Sequence, residues 1–251
     1  MAEVWAIVNH KGGTTKSTAT EHFADILIEA GSSVCIVDLD TSHNATNFYL
    51  DTLPKKSVVD FLNGDKKAIA KISPRLSIIP GTKKIAKFDE LFYAAEDVFG
   101  VIRSAIAPLP FDFVLIDTPH AIGNIIKNAI YAADKVVIPA MPTRDSADGT
   151  IDVMSEIDGL RRKRPDARCV PYLLPSCVTW YSLYDRDAVK AIKAAHSGID
   201  MLPSIPYRKS IARDQSERTI KRTNVYKSYE KVVTWLLNSK NATETKTTIS
   251  L

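Results

Sequence analysis

The sequence predicts an α/β fold: a doubly wound, mainly parallel sheet with helices on both faces. Three observations carry that prediction. Continuous apolar runs such as Val4-Trp5-Ala6-Ile7-Val8, Val34-Cys35-Ile36-Val37 and Val114-Leu115-Ile116 have the pattern of parallel strands buried on both faces. Stretches with apolar residues at helical spacing stand between these runs, the order that builds a parallel sheet through crossover helices. Glycine-rich or acidic turns follow the runs, so polar chemistry gathers at strand C-termini, where open α/β sheets bind ligands.

The first such turn is the most informative. Lys11-Gly12-Gly13-Thr14-Thr15-Lys16-Ser17-Thr18 follows the first apolar run directly. Two glycines let the chain fold tightly, and a helix expected over residues 16–30 begins there, with Ala19, Phe23, Ile26, Leu27 and Ala30 on one face and Gly31 ending it. Backbone N–H groups and the helix dipole at such a terminus favour an anion. Lys16 is placed to reach β- and γ-phosphates and the Ser17 hydroxyl to hold Mg²⁺. Thr15 stands where a phosphate loop ordinarily has glycine, which requires a negative φ or locally absorbed strain.

A second strand, residues 33–38, delivers Asp38-Leu39-Asp40 to the same sheet edge. Residues 52–110 read as short amphipathic pieces at 58–62 and 67–71, a strand at 76–80, and a helix over 86–99 with Phe88, Leu91, Phe92, Ala95 and Val98 inward. Phe111-Asp112-Phe113-Val114-Leu115-Ile116-Asp117-Thr118-Pro119 is a buried strand ending in an aspartate suited to hold Mg²⁺ through water. His120 has no partner visible in sequence. A strand at 135–139 leads to a helix over 146–162 with Ile151, Met154, Ile157 and Leu160 inward and a basic run, residues 161–164, at its end. A strand at 169–174 and a helix at 183–196 follow. The last helix, expected over 224–239, buries Val225, Tyr229, Val232, Val233, Leu236 and Leu237 and leaves lysines outside.

With 251 residues, 45% hydrophobic and 25% charged, the chain can bury a full core, and one domain is expected over residues 1–240 with a polar, disordered tail over 241–251. Neither a signal peptide nor a bilayer-length apolar run is present. Cys35, Cys169 and Cys177 lack metal-ligand spacing and read as reduced core residues of a cytoplasmic protein. The net charge of +4 is uneven: positions 201–240 carry nine Lys/Arg against three Asp/Glu. Arg208, Lys209, Arg213, Arg218, Lys221, Arg222 and Lys227 make up most of that excess, interleaved with tyrosines, a composition suited to backbone phosphates.

The stretch from Lys11 to Thr18 resembles the deviant Walker A motif of the ParA/MinD family of P-loop ATPases. The similarity extends along the chain: Asp38 to Thr46 is similar to that family's second acidic motif, with Thr41 and Ser42 replacing Pro-Gln. Asp117-Thr118-Pro119 is similar to its Walker B ending, and Ile205-Pro206-Tyr207 to its last loop. The resemblance is to a short ParA without an N-terminal helix-turn-helix. It implies an ATP- and Mg²⁺-dependent ATPase of slow intrinsic turnover, acting as a homodimer that sandwiches ATP. Lys11 would act across the dimer and Lys16 within its own subunit. Asp40 would orient the attacking water and touch the metal shell, and Pro206 and Tyr207 would lie beside adenine. The implied role is plasmid or chromosome partition on the nucleoid, through nonspecific double-stranded DNA and a ParB-like adaptor. A positioner of protein cargo, or a binding switch with little hydrolysis, shares these motifs. A membrane-bound relative would need an apolar amphipathic C-terminus, and an iron-protein relative would need cluster cysteines after Asp117; neither pattern is present.

Overall fold

The computed structural model describes residues 1–120, 123–207 and 223–239. Its elements in chain order are β1 (Glu3–Ile7), α1 (Lys16–Glu29), β2 (Val34–Asp38), α2 (Asn44–Tyr49), α3 (Val58–Leu62), β3 (Ala70–Lys71), β4 (Leu76–Ile79), α4 (Phe88–Leu91), α5 (Val101–Ile106), β5 (Phe113–Asp117), α6 (Asn124–Ala132), β6 (Lys135–Ala140), α7 (Arg144–Lys163), β7 (Val170–Pro175), α8 (Leu183–Ala195), β8 (Asp200–Met201) and α9 (Asn224–Asn238). The strands form one eight-stranded sheet in the order β3-β4-β2-β5-β1-β6-β7-β8. Every pairing is parallel except β3 with β4. The expected doubly wound architecture is present.

Strand register explains the two-layer core. Val4, Ala6 and Val8 of the first apolar run face one layer with Val114, Ile116, Ile126 and Ile157. Trp5 and Ile7 face the other with Phe23, Leu27, Tyr229 and Leu236. Alternate residues serve opposite faces because strand side chains have period 2, so a run apolar at every position is what a sheet covered twice requires. The layer over Trp5 is closed by α1 and α9, the helix nearest the described C-terminus. Lys135, 1% exposed, donates to the Leu236 carbonyl at the end of α9 and pairs with Glu3 at 2.7 Å. One ammonium thereby ties the last helix to β1 and β6.

Three expectations fail locally. The helix expected over 86–99 is instead a 3₁₀ turn, Lys83–Lys87, followed by the single turn of α4. Phe88 and Phe92 are buried against each other, ring centroids 5.0 Å apart, while Leu91 and Tyr93 are exposed. The chain then turns: Asp97 accepts from the Phe99 N–H, and Asn128 donates to the Val98 carbonyl. These local bonds replace a further helical turn. On α7, Ile151 points to solvent, and Gly149, Thr150, Val153, Ile157 and Leu160 face inward. On α9, Leu237 is exposed rather than buried. Helix α6, for which the sequence carried no expectation, fills the crossover between β5 and β6.

Candidate nucleotide site

The site lies at the C-terminal ends of β2, β5 and β1, three adjacent strands. The loop after β1 is held before it turns. Asn9, fully buried, donates from Nδ2 to the Pro139 carbonyl at 2.7 Å and accepts from the Lys11 N–H at 2.9 Å. Helix α7 comes close over it: a Cβ on Gly149 would sit 2.4 Å from Asn9 Oδ1 and 3.0 Å from Lys11 Cγ. Gly12 and Gly13 form the turn, Gly13 at φ +71°. The Thr14 hydroxyl donates to the Lys11 carbonyl at 3.1 Å, and Lys16 Nζ donates to the same oxygen at 3.1 Å. Burial pulls the Lys16 ammonium below its ordinary value, opposed by Asp117 and Asp40. Lys11 and the two glycines are exposed.

Thr15, the N-cap of α1, is left-handed at φ 66°, ψ 21°, and its side chain caps nothing. Its hydroxyl is buried with no hydrogen-bond partner. The negative φ that would have excused a non-glycine residue is therefore absent. A side chain with a Cβ in this region costs about 1–2 kcal/mol, and the cost persists only where the surroundings over-determine it.

The acidic side of the site starts with Asp38 and Asp117, register partners on β2 and β5. Asp38 Oδ1 accepts from the Asp40 N–H at 3.0 Å. Its Oδ2 accepts from the Thr46 N–H at 2.9 Å and the Thr46 hydroxyl at 2.6 Å. Asp38 therefore fixes both ends of the loop that carries Asp40, although burial raises its carboxyl to about 6. Asp40 is 6% exposed, and its Oδ1 accepts from the Ser42 N–H and hydroxyl, both at 2.8 Å. Ser42 thus supplies local order where the family pattern has Pro-Gln. Asp117 is fully buried and neither of its oxygens has a hydrogen-bond partner. Burial and the neighbouring Asp38 push it well above the carboxylate range, while the Ser17 hydroxyl beside it, not in hydrogen-bond geometry, pulls the other way.

An unpartnered buried carboxylate beside a serine hydroxyl suits a hard cation that takes oxygen ligands. Among the described residues no group of three or more His, Cys, Asp or Glu could hold a metal ion by itself. That fits magnesium, which keeps waters and substrate phosphate oxygens in its shell. Ser17, Asp40 and Asp117 are thus together in one place with the loop from Lys11 to Thr18. His120 is exposed near the loop, its Cγ 4.0 Å from a Cβ built on Gly12.

The remaining predicted residues divide. Pro206 and Tyr207 pair with the segment after β7: the Val178 N–H donates to Ile205 and the Tyr207 N–H to Val178. Cys177, which precedes that pair, is left-handed at φ 57° and only partly buried, unlike the buried Cys35 and Cys169. Lys227 lies on the exposed face of α9. Arg208, Lys209, Arg213, Arg218, Lys221 and Arg222 lie outside the described residues, as does the tail over 241–251.

Sequence reasoning missed Asn9, Gly81 and Gly149, and it included Thr46 in the acidic motif without its bonds to Asp38. Gly81 is the clearest case: its Cβ would lie 2.9 Å from Asp38 Cγ, while its N–H donates to the Thr46 hydroxyl. Gly81→Ala is therefore expected to cost about 1–3 kcal/mol by overpacking and to loosen the Asp38–Thr46 bonds. Thermal unfolding checks this, and a melting temperature equal to wild type would mean that the loop gives way freely.

Residues 2–167 match the family described as an AAA domain. A chromosome-partitioning ATPase, Soj, of Thermus thermophilus is 27% identical over 159 residues, 62% of this chain and 61% of that protein. The chromosome partitioning protein ParA of Caulobacter vibrioides is 27% identical over 169 residues, 63% of each. The chain belongs to the ParA family of P-loop ATPases. An uncharacterised Pseudomonas putida protein is 30% identical over 181 residues, covering 69% of this chain and 67% of its own length. In fold, this ParA family member is similar to McdA of Cyanothece in an ATP complex, with TM-score 0.85, 18% identity and coverage of 95% and 98%. It is likewise similar to a plasmid partition protein of Borrelia burgdorferi bound to AMPPNP, with TM-score 0.80, 20% identity and coverage of 94% and 99%.

Proposed function

We propose that the chain is an ATPase driving plasmid or chromosome DNA partition, as an ATP-sandwich dimer that binds nonspecific DNA and answers to a ParB-like adaptor. The observation that carries this reading is the convergence of the phosphate loop, Asp40 and Asp117 at the ends of three adjacent strands. The N–H groups of Gly13 to Lys16 would take the phosphates, with Lys16 exchanging its bond to the Lys11 carbonyl for phosphate oxygens. Ser17 and Asp117 would hold Mg²⁺, which when bound neutralises charge on the phosphates. Asp40, fixed through Asp38 and Ser42, would orient water toward the γ-phosphate, and positioning plus charge neutralisation would supply most of the rate. Lys11 is exposed, which suits a role toward a second subunit. Pro206 and Tyr207 would border adenine. Names of relatives support partition over other uses of the fold, and among the described residues no helix is long and apolar enough to cross a membrane.

The test is binding to random-sequence duplex DNA with ATP, ADP or no nucleotide, across a salt series. An Arg218/Lys221/Arg222→Ala variant runs alongside. ATP-dependent binding is expected, with a log–log salt slope that shrinks in the variant by about 0.9 for each phosphate it no longer neutralises. No binding under any nucleotide, with ATP-dependent dimerisation intact, would transfer the reading to a positioner of protein cargo.

A further inference from the structure

The strained residue of the phosphate loop has a neighbour from the far end of the chain. Tyr229 of α9 is 1% exposed, and its phenol faces the Thr15 hydroxyl without reaching hydrogen-bond geometry. The ring is fixed on two sides. His22 of α1 stacks on it at 4.3 Å, 25° from parallel, and Phe23 meets it edge-on at 5.9 Å. His22 donates from Nδ1 to the Thr18 carbonyl at 2.8 Å, which leaves Nε2 as an acceptor, buried and without a partner. Burial also holds that imidazole neutral. Two unpartnered buried polar atoms, Thr15 Oγ1 and His22 Nε2, thus flank one tyrosine directly behind the loop.

We propose that Tyr229 is a positioning residue for the phosphate loop: when nucleotide enters, its hydroxyl closes on Thr15 and holds the left-handed N-cap that aims the first N–H groups of α1. A glycine at position 15 would need no such prop, because it adopts this conformation freely. A threonine needs one, and it brings the hydroxyl through which the prop can act. The conformation of the loop then depends on where α9 sits, which ties the C-terminal helix to nucleotide affinity. This inference rests on the site binding a nucleoside triphosphate.

A double-mutant cycle tests it, using Tyr229→Phe, Thr15→Gly and the pair in the full chain. The readouts are titration of a fluorescent, slowly hydrolysed ATP analogue and the separate kcat and KM for ATP. Phenylalanine keeps the ring between His22 and Phe23, so thermal unfolding without nucleotide is expected to stay close to wild type. Tyr229→Phe should weaken analogue binding about 3–10-fold and raise KM with kcat nearly unchanged. In the Thr15→Gly background the same change should alter affinity by less than about twofold. Equal losses in both backgrounds, or no loss in either, would overturn the proposal. Should Tyr229→Phe prove unstable, Thr15→Ser, which keeps the hydroxyl, must bind more tightly than Thr15→Ala, and equal binding would overturn it as well. A wild-type chain that fails to bind the analogue would instead refute the nucleotide reading itself.

Discussion

Asp40→Ala is expected to lower the rate of ATP hydrolysis by about 10²–10⁴-fold, with nucleotide affinity within a few-fold of wild type. The asymmetry follows from what Asp40 touches. Its Oδ1 accepts two bonds from Ser42, and the loop around it is anchored through Asp38 to Thr46. None of these bonds reaches the phosphate loop, which hangs from Asn9. The substitution therefore removes a positioned carboxylate without dismantling the anion cradle. Steady-state phosphate release alongside an analogue titration checks it. Parallel losses in both would show that Asp40 serves binding rather than orientation of water.

Asp117→Asn should move stability in opposite directions with and without ligand. The wild-type carboxyl is buried without partners and has its pKa raised well above the ordinary range. A folded-state pKa above the unfolded one means that the folded chain binds the extra proton. Stability is then fully present below the unfolded carboxylate pKa and falls as pH rises from there toward the raised folded value. Asparagine removes that penalty, so the nucleotide-free variant should melt about 2–10 °C higher at neutral pH. It should also lose the additional stabilisation that Mg²⁺ gives to the ATP-bound wild type, which for a ligand at a hundredfold excess over Kd is about 2.7 kcal/mol. Differential scanning fluorimetry over pH, with EDTA or Mg²⁺, reads both effects. A variant less stable than wild type in EDTA would mean that Asp117 has structural partners after all.

Much of this was legible in the sequence because the relevant signals are local. Apolar runs without alternation marked the strands sandwiched between helices. The order of phosphate loop, Asp38-Leu39-Asp40 and Asp117 placed the chemistry on one sheet edge, and the register of Asp38 against Asp117 is the geometric form of that order. What stayed hidden depends on approach between segments distant in sequence. Gly149 looks like any helical glycine until α7 is found against Asn9. Gly81 looks like a turn residue until Asp38 is found beneath it. The stretch over 86–99 was misread for a different reason: its apolar spacing suits a helix, but only Phe88 and Phe92 find the core, and side-chain bonds from Asp97 and Asn128 take over the backbone beyond them. Thr15 was visible as an anomaly, yet the sign of its φ was not, because a threonine there gives no local hint of what sits behind it.

The ammonium of Lys135, clamped between Glu3 and the Leu236 carbonyl of α9, has a consequence for biosynthesis. A ribosome makes β1 and α1 early and α9 late, and Trp5, Phe23 and Leu27 share their layer with Tyr229, Val232 and Leu236. Until the last helix emerges, the nascent chain carries an uncovered apolar face at the P-loop helix, and the Leu236 carbonyl that accepts from Lys135 has yet to be made. Closure of the layer over Trp5 thus waits for α9, and ribosome-stalled chains lacking residues 224–238 should remain open to chaperones and proteases until synthesis resumes.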